Sequence, residues 1–222
     1  MKKRSKRFPD ALKATRHLTR VDALLGDLIK EVGGIKIELD PTETVYESLA
    51  SSIIYQQLHG KAAAAILARF KTLCGKGGRF PHPKAVITAR VPALRKTGLS
   101  GSKIQALKDL SEKVLSKSVP DRKLAHKMTD QELIEAFSSV RGVGPWTAQM
   151  LLIFTLGRTD VLPIGDYGVR RGYAAVYGKK QMPKPKELEA LGTKWSPYRT
   201  AASWYFWRAL EIERYKKIKF ED

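Results

Sequence analysis

Apolar residues recur along this chain mostly at the three- and four-residue spacing of helices that hide one side. Between Pro9 and the Gly33-Gly34 pair, Val21, Leu24, Leu25, Leu28 and Ile29 keep that spacing, which predicts one or two helices over residues 9–32. The run IKIEL at 35–39 alternates as a strand would. No second strand stands nearby, so it reads as an extended connector. Pro41-Thr42-Glu43 starts a helix carrying Val45, Leu49, Ile53 and Ile54 on one side as far as about Leu58, and the alanine-rich residues 61–70 form another. Residues 80–115 are short helices punctuated by Pro83, Pro92 and Gly98, with Ser100 as a cap. A polar connector follows over 116–130, and Thr129-Asp130-Gln131-Glu132 has the pattern of a capping box. Strands are scarce throughout, which predicts an all-α fold of about ten helices in two lobes, with the substrate cleft between them.

Length and charge narrow the partner. At 222 residues with 43% hydrophobic content, the chain is long enough for one large domain or two closely packed lobes. Its 41 Lys and Arg against 22 Asp and Glu give a formal charge of +19, spread through the chain rather than held in one amphipathic helix. That favours nucleic acid over a membrane surface, because neutralising phosphates releases counterions. Residues 1–8 read as a basic arm ahead of a single domain over 9–222. The lone Cys74 excludes an internal disulfide and a four-cysteine metal site, and no two of the four histidines have metal spacing on one helix. No run of 18 apolar residues occurs, so the expectation is a soluble protein in the cytoplasm or nucleoid, or in a nucleus if the source is eukaryotic. A monomer is expected.

The candidate chemistry lies in residues 138–172. Arg141-Gly142-Val143-Gly144 can turn tightly, and Pro145 suits the first position of the helix that follows. Such a turn aims free amides outward at the positive end of a helix, a seat for phosphate. About twenty residues beyond Trp146, a Gly/Pro-rich turn over 160–166 ends at Asp166. An aspartate there caps the next helix, and a capping carboxylate stays ionised. Capping and catalysis need not compete.

Hairpin, spacing and terminal aspartate together resemble the helix-hairpin-helix DNA glycosylase superfamily, with the hairpin motif over about 133–157. Three further segments carry the resemblance, which spans roughly residues 40–210: SIIYQQLHGKAAAAILARF, GLSGSKI, and WSPYRTAASWYFWRALE at 195–211. The nearest likeness is to the 3-methyladenine DNA glycosylase II type, in its compact form without an N-terminal β-rich domain. The resemblance implies that double-stranded DNA with a damaged base is the partner and that Asp166 is catalytic, stabilising positive charge on the sugar as the N-glycosidic bond breaks and activating water. Here Gly165 precedes Asp166 where some members have a second acid. Some members also carry an iron–sulfur cluster, which a chain with one cysteine cannot hold.

Other roles follow from the same likeness. Leu58 is the wedge that fills the gap left by an everted nucleotide, with helix closure as its ordinary alternative. Gln57, His59, Arg141, Gly142, Gly144, Lys103 and Arg170 are DNA contacts, although Lys103 and Ser100 sit first in a helix cap and Arg170 and Arg171 also serve solubility. Trp146, Tyr55, Tyr167, Trp204 and Tyr205, with Trp207, are candidate aromatic faces for the extruded base; core packing is the alternative for each. Residues 204, 205 and 207 cannot all face one pocket. Arg199 reaches the aspartate loop, a phosphate or an ion-pair partner. Strand-cleaving relatives place a Schiff-base lysine two residues past the second hairpin glycine. Trp146 stands there instead, implying a monofunctional enzyme that leaves an abasic site. No cofactor is expected beyond a possible Na+ or K+ on the backbone carbonyls of Ser138, Val140 and Val143. A glycosylase for oxidised or deaminated bases, or a silent DNA-binding module, are the alternatives.

Overall fold

The computed structural model describes residues 6–39, 43–75, 77 and 79–218. Residues 1–5 of the expected basic arm, the predicted helix start at Pro41-Thr42 and the last four residues lie outside them. The chain divides into two compact units, Thr42–Leu151 and the two flanking segments Met1–Pro41 and Leu152–Asp222.

The flanking unit begins with β1 (Lys6–Arg7), α1 (Ala11–Val21), α2 (Ala23–Val32) and β2 (Glu38–Leu39). The two short strands pair antiparallel, Lys6 opposite Leu39 and Arg7 opposite Glu38. This corrects two expectations, the separate basic arm over residues 6–8 and the unpaired connector over 35–39. Phe8, Ile37 and Leu39 are buried, so the partner strand came from the segment read as a tail. Asp22 ends α1 and caps α2 through the Leu25 amide.

The central unit runs through α3 (Val45–Tyr55), α4 (Gly60–Cys74), α5 (Pro83–Thr88), α6 (Val91–Lys96), α7 (Gly101–Leu115), α8 (Arg122–Ala125), α9 (Asp130–Ser138) and α10 (Pro145–Leu151). Capping boxes start α3 at Thr44–Glu47 and α9 at Thr129–Glu132, each satisfying amides that the helix leaves orphaned. The α7 helix is the hub, packing on α3, α5 and α6 with Ile104, Ala106, Leu107 and Leu110 buried.

The chain returns to the first unit through a π-helical turn, Leu152–Leu156, then α11 (Tyr167–Val176), α12 (Pro185–Leu191), a 3-10 turn at Gly192–Trp195, α13 (Arg199–Ala209) and α14 (Glu213–Lys216). The centre of this unit is α13: Thr200 to Phe206 are all buried, the mark of a helix with neighbours all round. It packs on α1, α2 and α11. The fold is all-α, with fourteen α-helices among the described residues, more than the ten expected because helices of one or two turns carry little periodicity. No helix among them is long and apolar enough to cross a membrane.

Candidate active site and nucleic-acid interface

Asp166 lies half-buried at the N-cap of α11, ending a loop that starts at Gly157. Its Oδ1 accepts the Val169 amide at 2.7 Å and the indole N–H of Trp207 at 2.9 Å. Gly168 makes that second bond possible: a Cβ there would sit 2.9 Å from Trp207 Cδ1 and 3.1 Å from Asp166 Oδ1. Phe154, placed by the π-helical turn, stacks on Trp207 with ring centroids 5.8 Å apart. Carboxylate and indole are therefore fixed together, with Phe154 covering one ring face.

The start of α13 shapes the loop leading to Asp166. Thr200 Oγ1 donates to the Arg158 carbonyl at 2.8 Å and accepts the Val161 amide at 2.9 Å. Arg199 grips Asp160 through Nε at 2.8 Å and a terminal guanidinium nitrogen at 2.9 Å, while Ser196 Oγ donates to the same carboxylate. Burial opposes ionisation of Asp160, but these hydrogen bonds and the Arg199 charge hold its pKa below the ordinary carboxylate value. Among the readings open to Arg199, the ion pair within the aspartate loop is the one found.

Deeper in the same unit, Asp22 is 5% exposed and accepts the Trp195 indole and the Lys194 ammonium, each at 2.8 Å, together with the Tyr177 hydroxyl. Burial disfavours its charge, yet Lys194, Tyr177, Trp195 and the Leu25 amide leave its pKa lowered. Tyr177 follows α11 directly, so this cluster anchors the far end of the helix that Asp166 caps.

The aromatic assignments divide. Trp204 and Tyr205 are buried in the packing of α13, and the Tyr205 hydroxyl donates to the Gly33 carbonyl at 2.9 Å. Both leave the pocket set, because their side chains are buried in the core. Trp207, one turn beyond Trp204, is the residue that reaches Asp166. Phe154 was not singled out from sequence, since it lies within an unbroken apolar run. Tyr167, next to Asp166, is 59% exposed.

In the central unit, an open groove of about 920 Å³ is lined by Tyr55, Gln57, Leu58, Lys103, Arg141, Gly142 and Trp146 among others. Trp146 is 53% exposed, Tyr55 40% and Leu58 39%. The turn from Tyr55 to Leu58 closes through the Leu58 amide to the Tyr55 carbonyl, with Gln57 at φ 55°. A residue with a side chain takes that left-handed conformation at a cost of about 1–2 kcal/mol. His59, exposed, stands at the N-cap of α4 without a side-chain cap bond. This corrects the helix limit at Leu58: α3 stops at Tyr55, and Gln57 and Leu58 form a presented turn.

At the hairpin, Gly142 has φ 75°, as its glycine suggested. Gly144 does not adopt a positive φ, and a Cβ there would meet open space, so only one of the two glycines is needed for the turn itself. The α7 helix braces the hairpin from behind: Asp109 accepts the Arg141 amide at 2.7 Å and the Lys113 ammonium at 2.8 Å, and Lys113 reaches the Ser139 carbonyl at 2.6 Å.

Two predicted contacts turn inward. Lys103 Nζ donates to the carbonyls of Ile54 and Gln56, and burial pushes its pKa down. Ser100 caps α7 through the Lys103 amide at 3.2 Å, so the cap reading holds for Ser100. Arg170 Nε donates to the Pro183 carbonyl at 2.7 Å, bracing the loop before α12.

A glycine hairpin opening a helix, followed by a capped aspartate on an all-helical frame, defines a protein of the helix-hairpin-helix class. The chain belongs to the HhH-GPD superfamily of base excision DNA repair proteins, whose profile matches residues 50–197. It is 33% identical, over 92% of its length and 96% of the relative's, to the alkylbase DNA glycosidase-like protein mag2 of Schizosaccharomyces pombe. To DNA-3-methyladenine glycosylase 1 of the same yeast it is 35% identical, covering 92% of this chain and 90% of that one. Among solved structures it is similar to 3-methyladenine DNA glycosylase Mag1 of that yeast in complex with abasic DNA, with a TM-score of 0.79 at 35% identity over 92% of this chain and 100% of the other. A DNA-3-methyladenine glycosidase from Bacillus halodurans gives a TM-score of 0.81 at 33% identity, covering 93% of this chain and 92% of that one.

Proposed function

We propose that this protein hydrolyses the N-glycosidic bond of alkylated purines in double-stranded DNA, releasing the base and leaving an abasic site without cutting the strand. The observation that carries this reading is the Asp166 carboxylate, held by the Val169 amide and the Trp207 indole beside the Phe154–Trp207 stack. A fixed negative charge stabilises the oxocarbenium-like sugar as the bond breaks, and the same carboxylate orients and deprotonates the attacking water. Methylation at N3 or N7 leaves a purine positively charged and already a good leaving group, and π faces attract a cation. Trp207 and Phe154 supply such faces in place of Trp204 and Tyr205.

Binding falls to the +19 chain and to the outward parts of the hairpin and the Gln57-Leu58-His59 turn, with Leu58 as the wedge. The carbonyls of Ser138, Val140 and Val143 would hold a monovalent cation that supplies positive charge toward a phosphate. Ser138 Oγ is buried there with no hydrogen-bond partner, which fits an ion at that place. Action on DNA supports a nucleoid or nuclear location.

Base release from three duplex substrates tests the substrate class. Methylated DNA is expected to yield free 3-methyladenine and 7-methylguanine, while 8-oxoguanine and uracil duplexes yield little. Preferential release from either of the latter would replace this reading with the oxidised- or deaminated-base enzyme. Borohydride treatment during turnover is expected to trap no protein–DNA adduct, because Trp146 offers no amine; a trapped adduct would contradict the monofunctional assignment.

A further inference from the structure

The exposed turn that carries Leu58 is held from behind by two side chains. Lys103, in the first turn of α7, sends its ammonium to the carbonyls of Ile54 at 2.8 Å and Gln56 at 2.9 Å. Ile54 belongs to the last turn of α3, where carbonyls lack helical partners and a cation is favoured. The Leu58 amide, which would bond the Ile54 carbonyl if the helix continued, goes to the Tyr55 carbonyl instead. Lys103 thus occupies the acceptor that the turn vacates. Gln56 supplies the second tether: its side-chain Nε2 donates to the Gly142 carbonyl at 2.8 Å, at the hairpin residue with positive φ. A turn with Gln57 in the left-handed region persists only where its surroundings hold it.

We propose that Lys103 and Gln56 are positioning residues that preset the Tyr55–Leu58 turn and tie it to the hairpin at Gly142, so that Leu58 is offered in its inserting shape before DNA arrives. This rests on Leu58 being the wedge. Lys103 then acts through the turn rather than as a phosphate contact, because two of its three ammonium donors are directed at backbone carbonyls. A turn shaped in advance keeps the ordering cost out of the binding step, which is how preorganisation raises affinity.

The test is a double-mutant cycle on the full chain, using a duplex with a stable abasic-site analogue and binding measured at several NaCl concentrations. Lys103→Met is expected to weaken binding about tenfold with an unchanged salt slope, and to cost less than twofold in a Leu58→Ala background, because it acts through Leu58. Gln56→Ala, at a half-exposed position where folding is not at stake, is expected to lose about threefold with the same dependence on Leu58. A slope reduced by about 0.9 in Lys103→Met would make it a phosphate contact and overturn the proposal. Equal losses in both backgrounds, or none in either, would also overturn it. If Leu58→Ala itself binds as well as the wild type, the wedge reading fails first. If Leu58→Ala is weakened while Lys103→Met and Gln56→Ala are not, only the positioning role fails.

Discussion

The loop that ends at Asp166 and the turn that presents Leu58 solve the same problem with different chemistry. The aspartate loop is fixed by the buried hydroxyl of Thr200, by the Arg199–Asp160 pair and by the indole of Trp207, all supplied by α13 at the core of its unit. The Leu58 turn stands in the open, with an unfavourable backbone angle at Gln57 and charged or amide side chains behind it. A catalytic carboxylate gains from geometry that cannot relax, so its support is woven into the packing. A surface that meets DNA must stay exposed, so polar tethers from a neighbouring helix hold it. Substitutions in the first region should therefore cost stability and chemistry, and those in the second mainly DNA binding.

The largest break expected is at Asp22. Asp22→Ala strips a buried cluster of its acceptor and should lower unfolding stability by about 3–5 kcal/mol in urea titrations, loosening α11 as it does so. Because folding lowers its proton affinity, Asp22 adds stability that is complete above the unfolded carboxylate value of about 3.9 and is lost as pH falls through the lower folded value. Asp22→Asn should flatten that acid-side decline. A variant as stable as the wild type at pH 7 would mean that the cluster holds nothing.

Next in size, Trp207→Phe keeps a ring against Phe154 but removes the donor to Asp166. Single-turnover base release should slow about tenfold, the scale of one lost hydrogen bond to a charged group. Unchanged release would show that the carboxylate is positioned without the indole donor. Smaller again, Leu58→Ala should shift unfolding by less than about 0.5 kcal/mol, as exposed positions do, while abasic-site binding weakens. A loss of several kcal/mol in stability would make Leu58 a packing residue. Two substitutions of Gln57 probe the backbone of the same turn: Gln57→Gly should be close to neutral, and Gln57→Val should lose about 1–2 kcal/mol, since a β-branched side chain resists positive φ.

What could be seen in the sequence was local. The Thr129 capping box, the positive φ of Gly142 and the capping position of Asp166 each depend on a few neighbouring residues, and each stands where its pattern placed it. What could not be seen depended on the phase of a helix or on a distant partner. With apolar residues on every side of α13, no periodicity distinguished Trp207 from Trp204 and Tyr205. The β1–β2 pairing joins segments about thirty residues apart and left no local mark. Lys103 looked like any lysine beside a helix start, and only the orphaned carbonyls of α3 show why it turns inward.

The most direct measurement on the central claim is the single-turnover rate of 7-methylguanine release from methylated duplex by the wild type and Asp166→Asn, with DNA binding and unfolding followed alongside. An amide keeps the shape and the cap while removing the charge, so release should fall at least 100-fold with little change in binding or stability. Equal rates for the two proteins would remove Asp166 from the chemistry and leave the hairpin as a DNA clamp without a catalytic centre.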